Sequence, residues 1–238
     1  AHTWARSPIH SRNAGERGGQ EMSFIQRNLP SLIALSAMIV FSFVVFEGLP
    51  DQVPSNYNIR GEVTDTQPKW LMVSLSPLIF FIVLLMVNGL IVISPEKFSM
   101  PNSKRAMDII LFGTGVMVFF IHVAVIEAAG DINRFAFFFS YGMAAFLIIT
   151  GNVFGKTERN FFIGIRLPWT LATQENWRAT HRLAGKLMVL FGILLLLINS
   201  VVANIWLTVL ICTAPLLLPV LYSPYYYFKN EKGQQDID

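Results

Sequence analysis

The chain alternates long apolar runs with short polar connections, and the runs are of membrane-spanning length. Six are recognisable: Leu29 to Phe46, Trp70 to Ile93, Asp108 to Ile126, Phe135 to Val153, Leu183 to Val202 and Ile205 to Tyr222. A hydrocarbon core about 30 Å thick needs roughly 20 such residues per helix. Inside lipid only helices and closed barrels satisfy every backbone polar group, so the pattern predicts an all-α polytopic membrane protein with six transmembrane helices. Pro30 falls in the first turn of its helix, where a proline removes no needed amide bond. Pro77, Pro215, Pro219 and Pro224 fall inside helices and predict bends.

Composition changes the picture only by excluding soluble classes. With 53% hydrophobic and 14% charged residues, the 238-residue chain is too apolar for an ordinary globular domain of its size. Its net charge of +3 is concentrated in particular connections and needs no nucleic-acid partner. Lys97, Lys104, Arg105, Lys156, Arg159, Arg166, Arg178, Arg182, Lys229 and Lys232 fall on one side, against Arg60, Lys69 and Arg134 on the other. The positive-inside bias therefore predicts that both termini are cytoplasmic.

Residues 1–21 are polar and rich in Arg and Gly, and are read as a disordered extension or expression remnant before a start at Met22. The membrane domain is expected over 22–228, with an external loop at 47–69 and a polar cytoplasmic tail at 229–238. The external loop is dense in turn formers, including Pro50, Pro54, Asn58, Gly61 and Asp65, and is expected to be compact and irregular rather than a domain. The single cysteine, Cys212, excludes an intrachain disulfide and any all-cysteine metal site. No HExxH, GxSxG or Walker-type pattern occurs, so neither a catalytic constellation nor a cofactor is expected. His122 lies within a span, where an ionisable group faces other helices or a wet cavity; it has a packing reading and a functional one.

The segment from Gly151 to Gly185, GNVFGKTERNFFIGIRLPWTLATQENWRATHRLAG, is polar and basic between two apolar runs. Pro168 disfavours helix at Leu167 and divides the segment. Thr173 is expected to N-cap a surface helix running from Gln174 into the fifth span, with Glu175 in the first turn. On that helix Trp177 and His181, and separately Arg178 and Arg182, fall four residues apart on neighbouring rows. Arg166, Trp169, Trp177, His181 and Arg182 are then expected to form one cytoplasmic patch. Such a patch either anchors the loop at lipid headgroups or docks a protein partner.

These residues also carry a resemblance. Gly151, Asn152, Asn160, Gly164, Ile165, Arg166, Pro168, Trp169, Thr170, Leu171, Trp177, Thr180, His181, Arg182 and Gly185 follow the signature of the SdpI-type bacterial immunity protein family. The external loop is similar to that family's LPxxxPxHxNxxG-like loop at Pro50, Pro54, Asn58 and Gly61, with Asn56 where the family often has histidine. The resemblance implies a non-enzymatic protein of the bacterial cell membrane that protects against a secreted toxic peptide. It also implies a transcriptional repressor held at the cytoplasmic face, with the external loop as the sensing element. Two rivals remain from other classes: a small-solute transporter, suggested by Pro77, Asn88, His122 and the proline-bent last span, and a scaffold without ligand. A reporter fused after Asp238 is expected to report a cytoplasmic location; a periplasmic or extracellular signal would reverse the orientation.

Overall fold

The computed structural model describes residues 24–58, 62–93, 101–128, 131–160 and 163–230. The expected extension at 1–21, loop residue Gly61 and most of the expected tail lie outside the described residues. The helices are α1 (Phe24–Phe46), α2 (Lys69–Ile93), α3 (Pro101–Ala128), α4 (Ile132–Phe154), α5 (Pro168–Ala172), α6 (Gln174–Asn199) and α7 (Ile205–Asn230). Among the described residues six helices, all but the short α5, are long and apolar enough to cross a membrane. Side chains such as Phe43, Val44, Leu85, Leu197 and Leu210 point outward from them. That is an inverted surface for water and a suitable one for lipid.

The helices start and stop somewhat differently from expectation. α1 begins at Phe24, five residues before the expected Leu29, because Arg27 and Asn28 find partners inside the bundle. Arg27 pairs with Asp108 of α3 at 3.4 Å and donates to the side chain of Asn88, while Asn28 and Asn88 exchange amide bonds of 2.9 and 3.1 Å. α7 continues through Pro215, Pro219 and Pro224 to Asn230. α6 runs without interruption from Gln174, as expected, but ends at Asn199 rather than Val202; Val201 and Val202 turn back onto the Ile198 carbonyl.

α1, α2 and α3 pack together, α4, α6 and α7 pack together, and the α3–α4 contact joins the two groups. Met38, Phe80, Leu84 and Leu111 fill the first group, and Leu147, Met188, Leu195 and Ile211 the second. Buried polar groups bridge the spans. Ser140 of α4 meets Thr208 of α7 at 2.6 Å, and Asn199 of α6 donates to the Phe137 carbonyl at 3.1 Å. Ser42 contacts His122 Nε2 at 2.9 Å and also lies 2.9 Å from the Met38 and Val73 carbonyls. Since those carbonyls only accept, the hydroxyl proton goes to one of them and the imidazole donates to Ser42.

The connection between α1 and α2 departs from the irregular loop expected. It forms an antiparallel hairpin, β1 (Gln52–Tyr57) and β2 (Val63–Pro68), with Gln52 opposite Pro68 and Tyr57 opposite Val63. Both strands of a two-stranded ribbon are edges, so Pro54 and Pro68 can sit where no ladder donor is required. The register shifts on either side of Asn56, and Asn58 closes the described stem through paired bonds with Glu62. Val53 is buried against Met72, Val73 and Ile126, which seats the hairpin on the helix ends. At its base Lys69 Nζ reaches Asp51 at 3.1 Å and the Leu49 carbonyl at 3.3 Å, and lies over the Phe46 ring.

α4 and α6 approach through glycine. A Cβ on Gly151 would stand 2.8 Å from the Gly185 carbonyl oxygen, and one on Gly185 would stand 2.7 Å from that of Gly151. Backbone cannot yield as a flexible side chain does, so Gly151→Ala is expected to destabilise by about 1–3 kcal/mol, as overpacking does. Gly89, with nothing within 4 Å of its Cβ position, is the contrasting site. Gly89→Ala is expected to be neutral or to stabilise by up to about 1 kcal/mol. Thermal unfolding of both variants in the same detergent measures the difference.

Candidate functional site

The segment between α4 and α6 folds back over the start of α6. α4 ends at Phe154 with Gly155 as its C-cap, and Lys156 and Thr157 bond back to the Val153 and Phe154 carbonyls. Asn160 is buried and organises the next turn, donating to the Glu158 carbonyl at 2.7 Å and accepting from Ile163 N–H at 2.8 Å. Pro168 occupies the first turn of α5, where its missing N–H costs nothing. The buried Thr170 hydroxyl accepts from Leu167 N–H at 2.8 Å and lies 2.8 Å from the Ile165 carbonyl. Thr173 caps α6 as expected, accepting from Asn176 N–H at 3.1 Å.

The centre of this fold is a stack of rings. Trp177 and His181, one helical turn apart, lie 4.0 Å centroid to centroid and 16° from parallel, and Phe154 also stacks on His181 at 5.1 Å. Trp177 Nε1 donates to the Thr157 carbonyl at 2.9 Å, tying the loop's start to α6. His181 Nδ1 meets the Trp177 carbonyl at 2.8 Å, so Nδ1 carries a proton and donates. Nε2 accepts from Ile165 N–H at 2.9 Å, which requires it to be unprotonated. The imidazole is thus neutral, with its tautomer fixed by two backbone groups. Gly164, at φ +123°, passes directly over the stack; a Cβ there would collide with His181 Nε2 and come within 2.9 Å of the indole.

The expected patch is therefore divided. Trp177 and His181 are fully buried, 0% exposed, beneath the loop and not on a surface. The reason is amphipathic packing: the row that carries Trp177 and His181 faces the loop, and the row that carries Arg178 and Arg182 faces out. Arg166 and Arg182 are exposed and Trp169 is half-buried. Gly151, Asn160, Thr180 and Gly185 are buried, whereas Asn152 is exposed and bonds to its own helix at Ile148.

Sequence reasoning missed a second tie. Asn176 is fully buried; its amide donates to the Ser223 carbonyl of α7 at 3.1 Å and accepts from Ser223 Oγ and Thr180 Oγ1 at 3.0 Å each. Its position four residues before Thr180, on the same helical face, was the available signal. At the opposite end of the molecule, the hairpin and the adjoining ends of α3 and α4 line a cleft of about 370 Å³. Pro54, Asn56 and Asn58 line one side; Val125, Ile132 and Phe135 line the other. Pro50 is exposed beside the hairpin stem and does not line the cleft. Among the described residues no three of His, Cys, Asp and Glu cluster closely enough to hold a metal ion.

Six apolar helices, a small hairpin at one end and a folded basic loop at the other define a multi-pass protein of the cell membrane. Residues 156–223, from the folded loop through most of α7, match the SdpI/YfhL protein family, and residues 33–81 match a domain of unknown function, DUF1648. The chain is similar to "Immunity protein SdpI" of Bacillus subtilis (strain 168), at 22% identity over 214 residues, covering 89% of this chain and 100% of that protein. No solved structure matches. Over its folded loop and last two spans the chain is thus similar to the SdpI/YfhL protein family.

Removing the central indole by Trp177→Ala is expected to cost about 3–5 kcal/mol, seen as lost thermal stability or lost protein in the membrane. Trp177→Phe keeps a ring but strands the Thr157 carbonyl, at about 1–3 kcal/mol. In 15N NMR of selectively labelled protein, His181 is expected to show protonated Nδ1 and bare Nε2; the opposite tautomer would contradict the bonding described.

Proposed function

We propose that this chain is a membrane immunity protein that acts by binding, not by catalysis. The similarity to Immunity protein SdpI along 89% of the chain carries this reading, because it spans both the hairpin end and the folded loop. Its toxic partner would be a secreted peptide received in the hairpin cleft. Val125, Ile132 and Phe135 supply an apolar floor and Asn56, Asn58 and Asp131 a polar rim, a combination suited to an amphipathic peptide. The inner partner would be a transcriptional repressor held at the opposite, cytoplasmic end. Of the residues first assigned to that contact, Arg166, Trp169 and Arg182 remain accessible, and Arg and Trp are frequent interface anchors.

A second reading, solute transport, draws support from the polar groups buried among α1, α2 and α3. Arg27, Asn28, Asn88 and Asp108 cluster at one end and Ser42 with His122 sits further along, positions that ionisable residues in spans often occupy on a pathway. Flux of labelled solute in proteoliposomes separates this reading from immunity.

Expression in a toxin-sensitive host is expected to restore survival, and deletion of residues 56–64 to abolish it while the protein still reaches the membrane. Arg166→Ala and Trp169→Ala are each expected to weaken repressor recruitment by about 1–3 kcal/mol without lowering the amount of membrane protein. Unchanged recruitment with reduced membrane levels would make these residues anchors instead.

A further inference from the structure

An open groove of about 580 Å³ runs between α4 and α6 at the loop end of the bundle. Its floor is made by Gly151, Gly155 and Gly185, the residues whose missing side chains let the two helices touch. At its mouth stand Lys156, Arg182 and Lys186, all exposed. No carboxylate forms an ion pair with any of them among the described residues, where the ion pairs are Arg27 with Asp108 and Lys69 with Asp51. Below the cations the α6 wall becomes apolar through Val189, Leu190 and Ile193, while Asn152 lines the α4 side.

We propose that this groove is a binding site for one anionic phospholipid, its phosphate held by Lys156, Arg182 and Lys186 and an acyl chain lying along Val189, Leu190 and Ile193. The order of chemistry along the groove matches the order of chemistry in a lipid. From Arg182 to Ile193 the helix rises roughly 16 Å at 1.5 Å per residue. That covers a headgroup contact and about half of a hydrocarbon core roughly 30 Å thick. Three cations at a membrane rim, without an ion pair among the described residues, favour an anionic over a zwitterionic headgroup. A soluble phosphate would meet the same cations but leave the apolar wall unused. The site shares Arg182 with the proposed repressor contact but takes Lys156 and Lys186 from outside it, and does not require that contact.

The test uses purified full-length protein in mild detergent, titrated with phosphatidylglycerol or with phosphatidylcholine of the same chains, followed by native mass spectrometry and thermal unfolding. Wild-type protein is expected to retain phosphatidylglycerol preferentially and to unfold at higher temperature with it. The double variant Lys156→Gln/Lys186→Gln is expected to lose about twenty- to thirtyfold in affinity for phosphatidylglycerol, given about 1 kcal/mol per basic residue near an anionic surface. Neither lysine belongs to the proposed repressor contact, so this loss is distinguishable from failure of the immunity reading. Lys104→Gln/Arg105→Gln, exposed at the start of α3, is expected to bind as wild type does. The proposal is overturned if the Lys156/Lys186 variant binds phosphatidylglycerol undiminished. It is equally overturned if the Lys104/Arg105 variant loses as much, or if sn-glycerol 3-phosphate stabilises the protein as well as the lipid does.

Discussion

Gly151 and Gly185 face one another across α4 and α6, and each backbone carbonyl occupies the space the other's side chain would need. Lipid tails are as apolar as leucine, so helices in a membrane gain little from hydrophobic burial against each other and depend on close packing. Small residues make that packing possible here. Gly192, two turns further along α6, continues the contact; a Cβ there would stand 3.0 Å from the Ala144 carbonyl. With the helices this close, α4 ends beside Arg182, and the Thr157 carbonyl comes within reach of the Trp177 indole. The fold of the whole connecting segment depends on that approach.

Polar contacts then fix the register of the other spans. Asn28 with Asn88, Ser42 with His122, Ser140 with Thr208 and Asn176 with Ser223 each join two different helices. Bonds of this kind contribute modestly, on the order of 0.6 kcal/mol in membrane proteins, but a misregistered helix would leave the same groups unpaired in hydrocarbon. They therefore act more through the cost of alternatives than through their own strength. Cys212, Leu147 and Met188 fill the remaining space without direction, and the polar pairs supply it.

Much of this architecture was legible because apolar periodicity and length report directly on lipid exposure. The six spans, the Thr173 cap and the continuity of the surface helix with the fifth span all rest on short-range rules. What escaped was set by tertiary partners. Pro54 and Asp65 read as turn formers, yet both lie within strands of a two-stranded ribbon, and the burial of Val53 against α2 and α3 decides for a hairpin. Trp177 and His181 read as a membrane-surface pair because their spacing reveals which row they share and not what that row faces. The answer came from Gly164, whose backbone covers them, and nothing local to the helix predicts a loop at that height. Lys186 stands one residue beyond the motif, yet the groove it borders is floored in part by the motif's Gly151 and Gly185.

Residues 157–160 and 163–167 lie outside the helices, and two long-range bonds tie them to α6. The Trp177 indole reaches back 20 residues to Thr157, and the Ile165 amide reaches forward 16 residues to the imidazole of His181. Both bonds close on the same two stacked rings. A segment attached in this way behaves as a latch with a single pin: it is shut while the first two turns of α6 are formed, and no partly open position keeps both bonds. Loosening those turns would release the segment as one cooperative unit and bring an indole that is now wholly enclosed to the surface of the protein.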